Sequence, residues 1–162
     1  MTERTIINID DLPLKHMGNG DYFDVQIGRA GKRLGLRELG CSLHVLSPGK
    51  AGFPFHRHHV NDELFLILAG EGEYRFGDQR QPLRSGDLAS APAGTEAHQI
   101  INTSDADLRY LAFSSTASAE IVDYPDSNKV SFAAGMRDND PSNATMHFLG
   151  RTQPADYYDG EG

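Results

Sequence analysis

Seven short runs rich in β-branched and aromatic residues crowd the stretch from Tyr22 to Ser115: YFDVQIG, CSLHVLS, ELFLILAG, EGEYRFG, DLASAP, HQIINT and LRYLAFSS. Gly, Pro, Asn and Asp punctuate them at intervals that suit strands joined by tight turns, and apolar positions at helical spacing are nearly absent. Such a chain can bury its apolar residues only as an all-β barrel or sandwich. The run Leu64 to Leu68 is apolar on both faces. It reads as a central strand with one face lining a barrel and the other covered by a second subunit or by the chain's own termini. No internal repeat is present, so the 162 residues form one barrel, with residues 41–115 as its core. Residues 1–40 and 116–162 are Gly-, Asp- and Asn-rich extensions, expected to wrap the barrel or to pair with a partner, and residues 138–145 (DNDPSNAT) form the expected mobile loop.

Within this strand pattern, His56 and His58 are separated by one residue. On an extended strand, side chains alternate at period two, so both imidazoles point to the same side and can share a cation. Val60, Asn61 and Asp62 form a polar turn, after which Glu63 opens the next strand and can return beside the histidines. His98 follows Pro92, Gly94 and a short turn, and brings a third imidazole from a distant part of the chain. Three imidazoles and one carboxylate suit one divalent metal ion, with Mn, Fe, Ni, Co, Cu and Zn all compatible with the donor set.

The same residues carry a family resemblance. Gly49, His56, His58, Glu63 and Gly70 resemble the first conserved motif of the cupin superfamily, and Gly86, Pro92, Gly94, His98 and Asn102 resemble the second. One extra residue separates Gly49 from His56, and three rather than two separate Gly94 from His98; both additions fall in turns, where added length costs little. The VDYPDS stretch and the DYYDGEG terminus look like those of a group of small single-domain cupins. The resemblance implies a cupin-type double-stranded β-helix, or jelly-roll barrel, with N- and C-terminal extensions. It also implies a metal centre at His56, His58, Glu63 and His98, and a homodimer. Members of the superfamily include dioxygenases, decarboxylases, isomerases and epimerases, lyases and cyclases, as well as binding and sensory domains. The expected function is therefore that of a metal-dependent enzyme acting on a small oxygenated molecule such as an oxo acid, phenolic compound or sugar. The alternative is a non-enzymatic small-molecule-binding or sensory cupin.

Other features narrow the partners. A formal charge of −8 argues against a nucleic-acid surface, which needs clustered Lys and Arg. Arg29, Lys32, Arg33 and Arg37 form the one dense basic stretch, and the reading favoured for them is a solvated strand or loop face rather than an anion site. No apolar run reaches membrane-spanning length and MTERTIINID has no secretory pattern, so no membrane partner and a cytoplasmic protein are expected. Cys41, the single cysteine, sits in the apolar alternation of CSLHVLS and reads as a small buried residue. His44 shares the Ser42 and Leu46 side of its strand, and Tyr74 alternates with Phe76; these two are the pocket residues expected beside the metal. No nucleophile elbow, phosphate loop or dinucleotide fingerprint is present, and no catalytic acid or base stands out.

Overall fold

The computed structural model describes residues 5–136 and 141–162. Thirteen strands run in chain order among these residues: β1 (Lys15–Asn19), β2 (Phe23–Arg29), β3 (Leu39–Leu46), β4 (Arg57–His58), β5 (Glu63–Ala69), β6 (Glu71–Phe76), β7 (Gln79–Arg84), β8 (Leu88–Ala91), β9 (His98–Ile101), β10 (Leu108–Ser115), β11 (Ala119–Tyr124), β12 (Lys129–Ala134) and β13 (Met146–Gly150). They pair as a six-stranded sheet β1-β2-β3-β10-β5-β8, a three-stranded sheet β7-β6-β9 and a four-stranded sheet β13-β12-β11-β4. Every pairing between strands is antiparallel. The result is the expected all-β barrel. Of the loop expected at 138–145, residues 138–140 lie outside the described residues, and Pro141–Asn143 form a 3-10 turn.

Period-two alternation builds the interior. Along β5, Phe65 and Ile67 face inward, and across the ladder they meet Ala112 and Tyr110 of β10, which in turn oppose Ser42 and His44 of β3. Val25, Ile27, Leu46, Tyr74, Leu83, Ala91, Ile100 and Leu108 complete this core. Leu46 and Leu108 are fully buried, and each such side chain contributes about 2 kcal/mol of transfer free energy. A second cluster covers the outer face of the large sheet: Leu12 of the N-terminal segment packs on Leu43 and Val45, with Ile7, Ile9 and Leu34 beside Leu68 and Leu111. Part of the apolar outer face of β5 is thus covered by the chain itself.

Several strands lie where local pattern gives little sign of them. β7 contains Pro82 and is polar, and both features are tolerated because it is an edge of its sheet. β11, β12 and β13 run through the polar C-terminal stretch, and β11 pairs with β4 next to His58. Gly70 joins β5 to β6 at φ 84°, and a Cβ there would stand 2.4 Å from the Asp107 carbonyl oxygen, so the tight turn depends on glycine.

Asn102, fully buried, fastens the loop before β10. Its amide nitrogen donates to the carbonyls of Leu46 and Ala106 at 2.8 Å each, and its Oδ1 accepts from the Ser104 amide and hydroxyl. Asn102→Ala would leave these groups without partners in a dry interior, and a loss of about 2–4 kcal/mol of unfolding free energy is expected in urea titration.

Candidate metal centre

The strand geometry around the H-x-H segment sorts its side chains. His56 and His58 point inward, whereas Arg57 and His59 point outward to Asp123 of β11: Arg57 Nε and Nη2 donate to the two carboxylate oxygens at 2.8 and 3.1 Å, and His59 Nε2 lies 2.7 Å from Oδ1. This two-pronged contact holds β4 against β11. His98 arrives through a turn in which Gly94, at φ 70°, donates its amide to the His58 carbonyl at 2.8 Å. The His98 and His56 backbones then exchange both hydrogen bonds, at 2.7 and 3.1 Å. The extra residue in this turn is absorbed there, and the two imidazoles face each other with ring centroids 4.5 Å apart.

Glu63 Oε2 is the focus of the cluster. It lies 2.9 Å from His98 Nε2, 3.4 Å from His58 Nε2 and 3.9 Å from His56 Nε2. Despite the 2.9 Å approach, no donor among the described residues is aligned for a hydrogen bond to this buried oxygen. Donor atoms bound to one ion at about 2.0–2.2 Å stand roughly 3 Å apart when they subtend a right angle, so these separations fit a shared cation. His56, Glu63 and His98 bring ligand atoms within 4.8 Å of one another and can hold a metal ion; His58 lies just outside that triplet.

Tautomers support the same reading. His56 Nδ1 donates to the Pro54 carbonyl at 2.7 Å, which leaves the lone pair on Nε2, the atom directed at Glu63. His58 Nδ1 faces the Glu120 carboxylate at 3.3 Å, with the same consequence for its Nε2. His98 Nδ1 is buried without a hydrogen-bond partner among the described residues.

Burial, with the neighbouring histidines adding to it, pushes His56 down to about 4, so it is neutral at pH 7. Burial also opposes charge on Glu63, but the close approach of His98 and the charges of the three histidines outweigh it and hold the carboxyl at about 2. For His58, burial is outweighed by the Glu120 contact and the Glu63 charge, and its pKa is raised above the ordinary histidine value.

Glu120 has no counterpart in the sequence reading. It is buried, and besides His58 it accepts from the amides of Val60 and Asn61 at 3.0 Å each and of His59 at 3.3 Å. It fixes the turn between β4 and β5 and orients His58. No local signal marks this acid, because it lies 62 residues from His58 and meets it only through the pairing of β11 with β4. Carboxylates behind a metal-binding imidazole typically govern affinity by 10–100-fold. Glu120→Gln is therefore expected to weaken metal binding by about that factor, as read by competition with a chromogenic chelator, while the fold persists.

The two expected pocket residues diverge. His44 is buried, with Nε2 2.8 Å from the Ser42 hydroxyl and Nδ1 3.1 Å from the Tyr110 hydroxyl, and it borders a cavity that reaches Glu63. Tyr74 donates to the Ser90 carbonyl at 2.9 Å and packs against Phe65 and His98, as part of the wall behind the imidazoles. Phe53 and Tyr124 flank His56 on other sides. One sequence expectation needs correction. Cys41 is half-buried rather than buried, since it lies on the outer side of β3 beside the same cavity. The basic stretch is a solvated face, as expected, with Arg29, Lys32, Arg33 and Arg37 all exposed; Arg29, Lys32 and Arg37 also stand at the open mouth of that cavity, because the β2–β3 register sets Arg29 beside Ser42.

The family model for the cupin domain matches residues 42–114. Among curated proteins, the chain is 36% identical to an oxalate-binding protein of Thermotoga maritima over 67 residues, 41% of this chain and 54% of that protein. It is 29% identical to auxin-binding protein 1 of Arabidopsis thaliana over 129 residues, 74% of this chain and 63% of that one. The chain thus spans about half to under two thirds of the length of these relatives. A solved structure described as a sugar phosphate isomerase from Silicibacter pomeroyi superposes with a TM-score of 0.76 at 22% identity, covering 90% of this chain and 92% of that one, a likeness of fold.

Proposed function

With residues 42–114 forming a cupin-type domain, we propose that this protein is a metal-dependent enzyme acting on a small oxygenated molecule, an oxo acid, phenolic compound or sugar, at His56, His58, Glu63 and His98. The observation that carries this reading is the convergence of three imidazole Nε2 atoms on one buried carboxylate oxygen beside a cavity of about 670 Å³. A divalent ion held by these four residues supplies a Lewis acid for a carbonyl or hydroxyl oxygen, or a centre for oxygen chemistry. The protein's own groups do the rest. Phe53, Phe65, Tyr74 and Tyr124 keep the imidazoles dry, and Pro54 and Glu120 fix their tautomers. Burial pushes His44 down to about 4, so it is neutral at pH 7 and presents an uncharged ring at the cavity wall, held by Ser42 and Tyr110.

A second reading, a binding protein without chemistry, is favoured by the relatives named for binding oxalate and auxin. A panel of oxo acids, phenols and sugars incubated with metal-loaded and chelator-treated protein separates the two. Metal-dependent product formation or oxygen uptake is the expected result. A compound that raises the melting temperature yet is never consumed would sink the enzyme reading.

We also propose that the protein is a homodimer. The N-terminal segment leaves Leu64 and Leu88 exposed on the outer face of β5 and β8, beside half-buried Phe113. Light scattering at tens of micromolar protein is expected to give twice the protomer mass; a monomer mass would leave the chain's own segments as the sole cover.

Among the described residues, no helix is long and apolar enough to cross a membrane.

A further inference from the structure

The cavity that ends at Glu63 has an acidic floor and a basic mouth. Its volume of about 670 Å³ falls in the range that encloses a small organic molecule. Arg29, Lys32 and Arg37 line it, with Ser42, His44 and Glu63 deeper in, and Glu63 is the single carboxylate among the lining residues. Three cations against one anion make this wall positive in a chain whose formal charge is −8. A partly enclosed wall of one sign concentrates its field on whatever enters.

The three cations are placed by backbone structure rather than by contact with acids. Arg29 pairs with Ser42 and lies two residues from Ile27, which pairs with His44, so Arg29 shares the inward face of β2. Its charge is felt at His44, where it adds to the larger effect of burial in favouring the neutral ring. Lys32 belongs to the 3-10 turn Gly31–Leu34, which Gly35 closes at φ 74° and the Leu36 amide fastens to the Gly31 carbonyl at 3.0 Å. Arg37 is held through its carbonyl, which accepts from the Thr116 hydroxyl at 2.7 Å. Arg29, Lys32 and Arg37, like Arg33, form no ion pair among the described residues, so what sets these three apart is their place in the cavity wall. Two guanidinium forks and one ammonium group at a mouth whose one lining carboxylate, Glu63, lies at the far end suit a compact oxyanion.

We propose that the mouth of this cavity is an anion subsite, in which Arg29, Lys32 and Arg37 hold the charged end of a small organic dianion, a phosphate monoester or dicarboxylate, while its oxygenated end reaches Glu63, the one residue of the candidate metal centre in the cavity wall. The second half of this statement rests on the proposed metal-dependent function. The first half stands on the cavity wall alone. A dianion is chosen over a monoanion because three cations surround the entry and the one carboxylate lies at the far end.

The test uses inorganic phosphate and malonate as the two dianionic probes, and acetate as the monoanion, titrated into metal-free and metal-loaded protein by calorimetry. Phosphate or malonate is expected to bind both forms more tightly than acetate, and the stronger of the two identifies the source of the charge. In the triple variant Arg29→Gln/Lys32→Gln/Arg37→Gln, affinity should fall at least about tenfold, the loss of charge-assisted hydrogen bonds. Arg33→Gln is the control, since Arg33 lies in the same basic stretch but not in the cavity wall; its affinity should be unchanged. The melting temperature of the triple variant without anion shows whether it is folded, and Arg29→Gln alone provides a milder substitution if it is not. Equal binding by wild type and a folded cavity variant would overturn the proposal. So would an equal loss in Arg33→Gln, which would mean diffuse surface charge. No dianion binding at about 10 mM, the weak limit for a specific site, would also overturn it. Dianion binding that depends on the three cations in a protein whose elemental analysis shows no metal would keep the subsite and remove only its link to the metal reading.

Discussion

Replacing His56 and His58 together with alanine is expected to abolish bound metal while leaving a folded barrel. The fold survives because the contacts that seat this segment are backbone ones: His56 and His98 exchange amide–carbonyl hydrogen bonds, and Glu120 keeps its bonds to the amides of His59, Val60 and Asn61. The metal is lost because only Glu63 and His98 remain of the four converging donors, and two protein ligands rarely retain a borderline divalent ion. At a free-ion concentration about a hundred times the dissociation constant, a bound ion stabilises the native state by about 2.7 kcal/mol. For a chain of this size that corresponds to roughly 5–10 °C in melting temperature, which the double variant should no longer gain. Elemental analysis checks the first statement and thermal melts with added metal the second. An unchanged metal-to-protein ratio would place the ion elsewhere in the molecule.

The second large effect is on pH. His58 is raised above its ordinary value of 6.5 because the Glu120 and Glu63 carboxylates outweigh its burial, while His56 stays neutral down to about 4. A group raised in the folded state stabilises the metal-free protein below its unfolded pKa, and that contribution fades as pH rises through the folded value. Metal binding requires the deprotonated ring, so it works in the opposite direction. The gain in melting temperature from metal should therefore be full above the raised His58 value and shrink as pH falls through it. Affinity should fall about tenfold per pH unit from this one proton, and more steeply below about 4, where His56 begins to charge. Melts with and without chelator from about pH 8 to pH 5 test this, since the reference imidazole pKa lies inside that interval. A constant gain across it would remove His58 from the donor set.

The relation between H-x-H, Glu63 and His98 is legible in the chain because each step of it is local. Period-two alternation puts His56 and His58 on one side, a polar turn returns Glu63, and a Pro–Gly turn introduces His98. The strands from β2 to β10 read equally well, apart from short β4 and polar β7, because inward positions such as Phe65, Ile67, Tyr110 and Ala112 alternate with less buried ones. β7 and β11 to β13 do not stand out, since edge and surface strands bury too little on either face to impose a pattern.

The sequence by itself thus determined the all-β class and the barrel, and it marked His56, Glu63 and His98, whose ligand atoms converge, since alternation and turn chemistry act over a few residues. Tertiary structure alone decided the rest. Glu120 stands behind His58 only because β11 pairs with β4, and Arg29 looks into the cavity only because the β2–β3 register places it opposite Ser42. A shift of one residue in either register would turn those side chains to the other face, and no local property of a strand specifies its register with a partner distant in the chain.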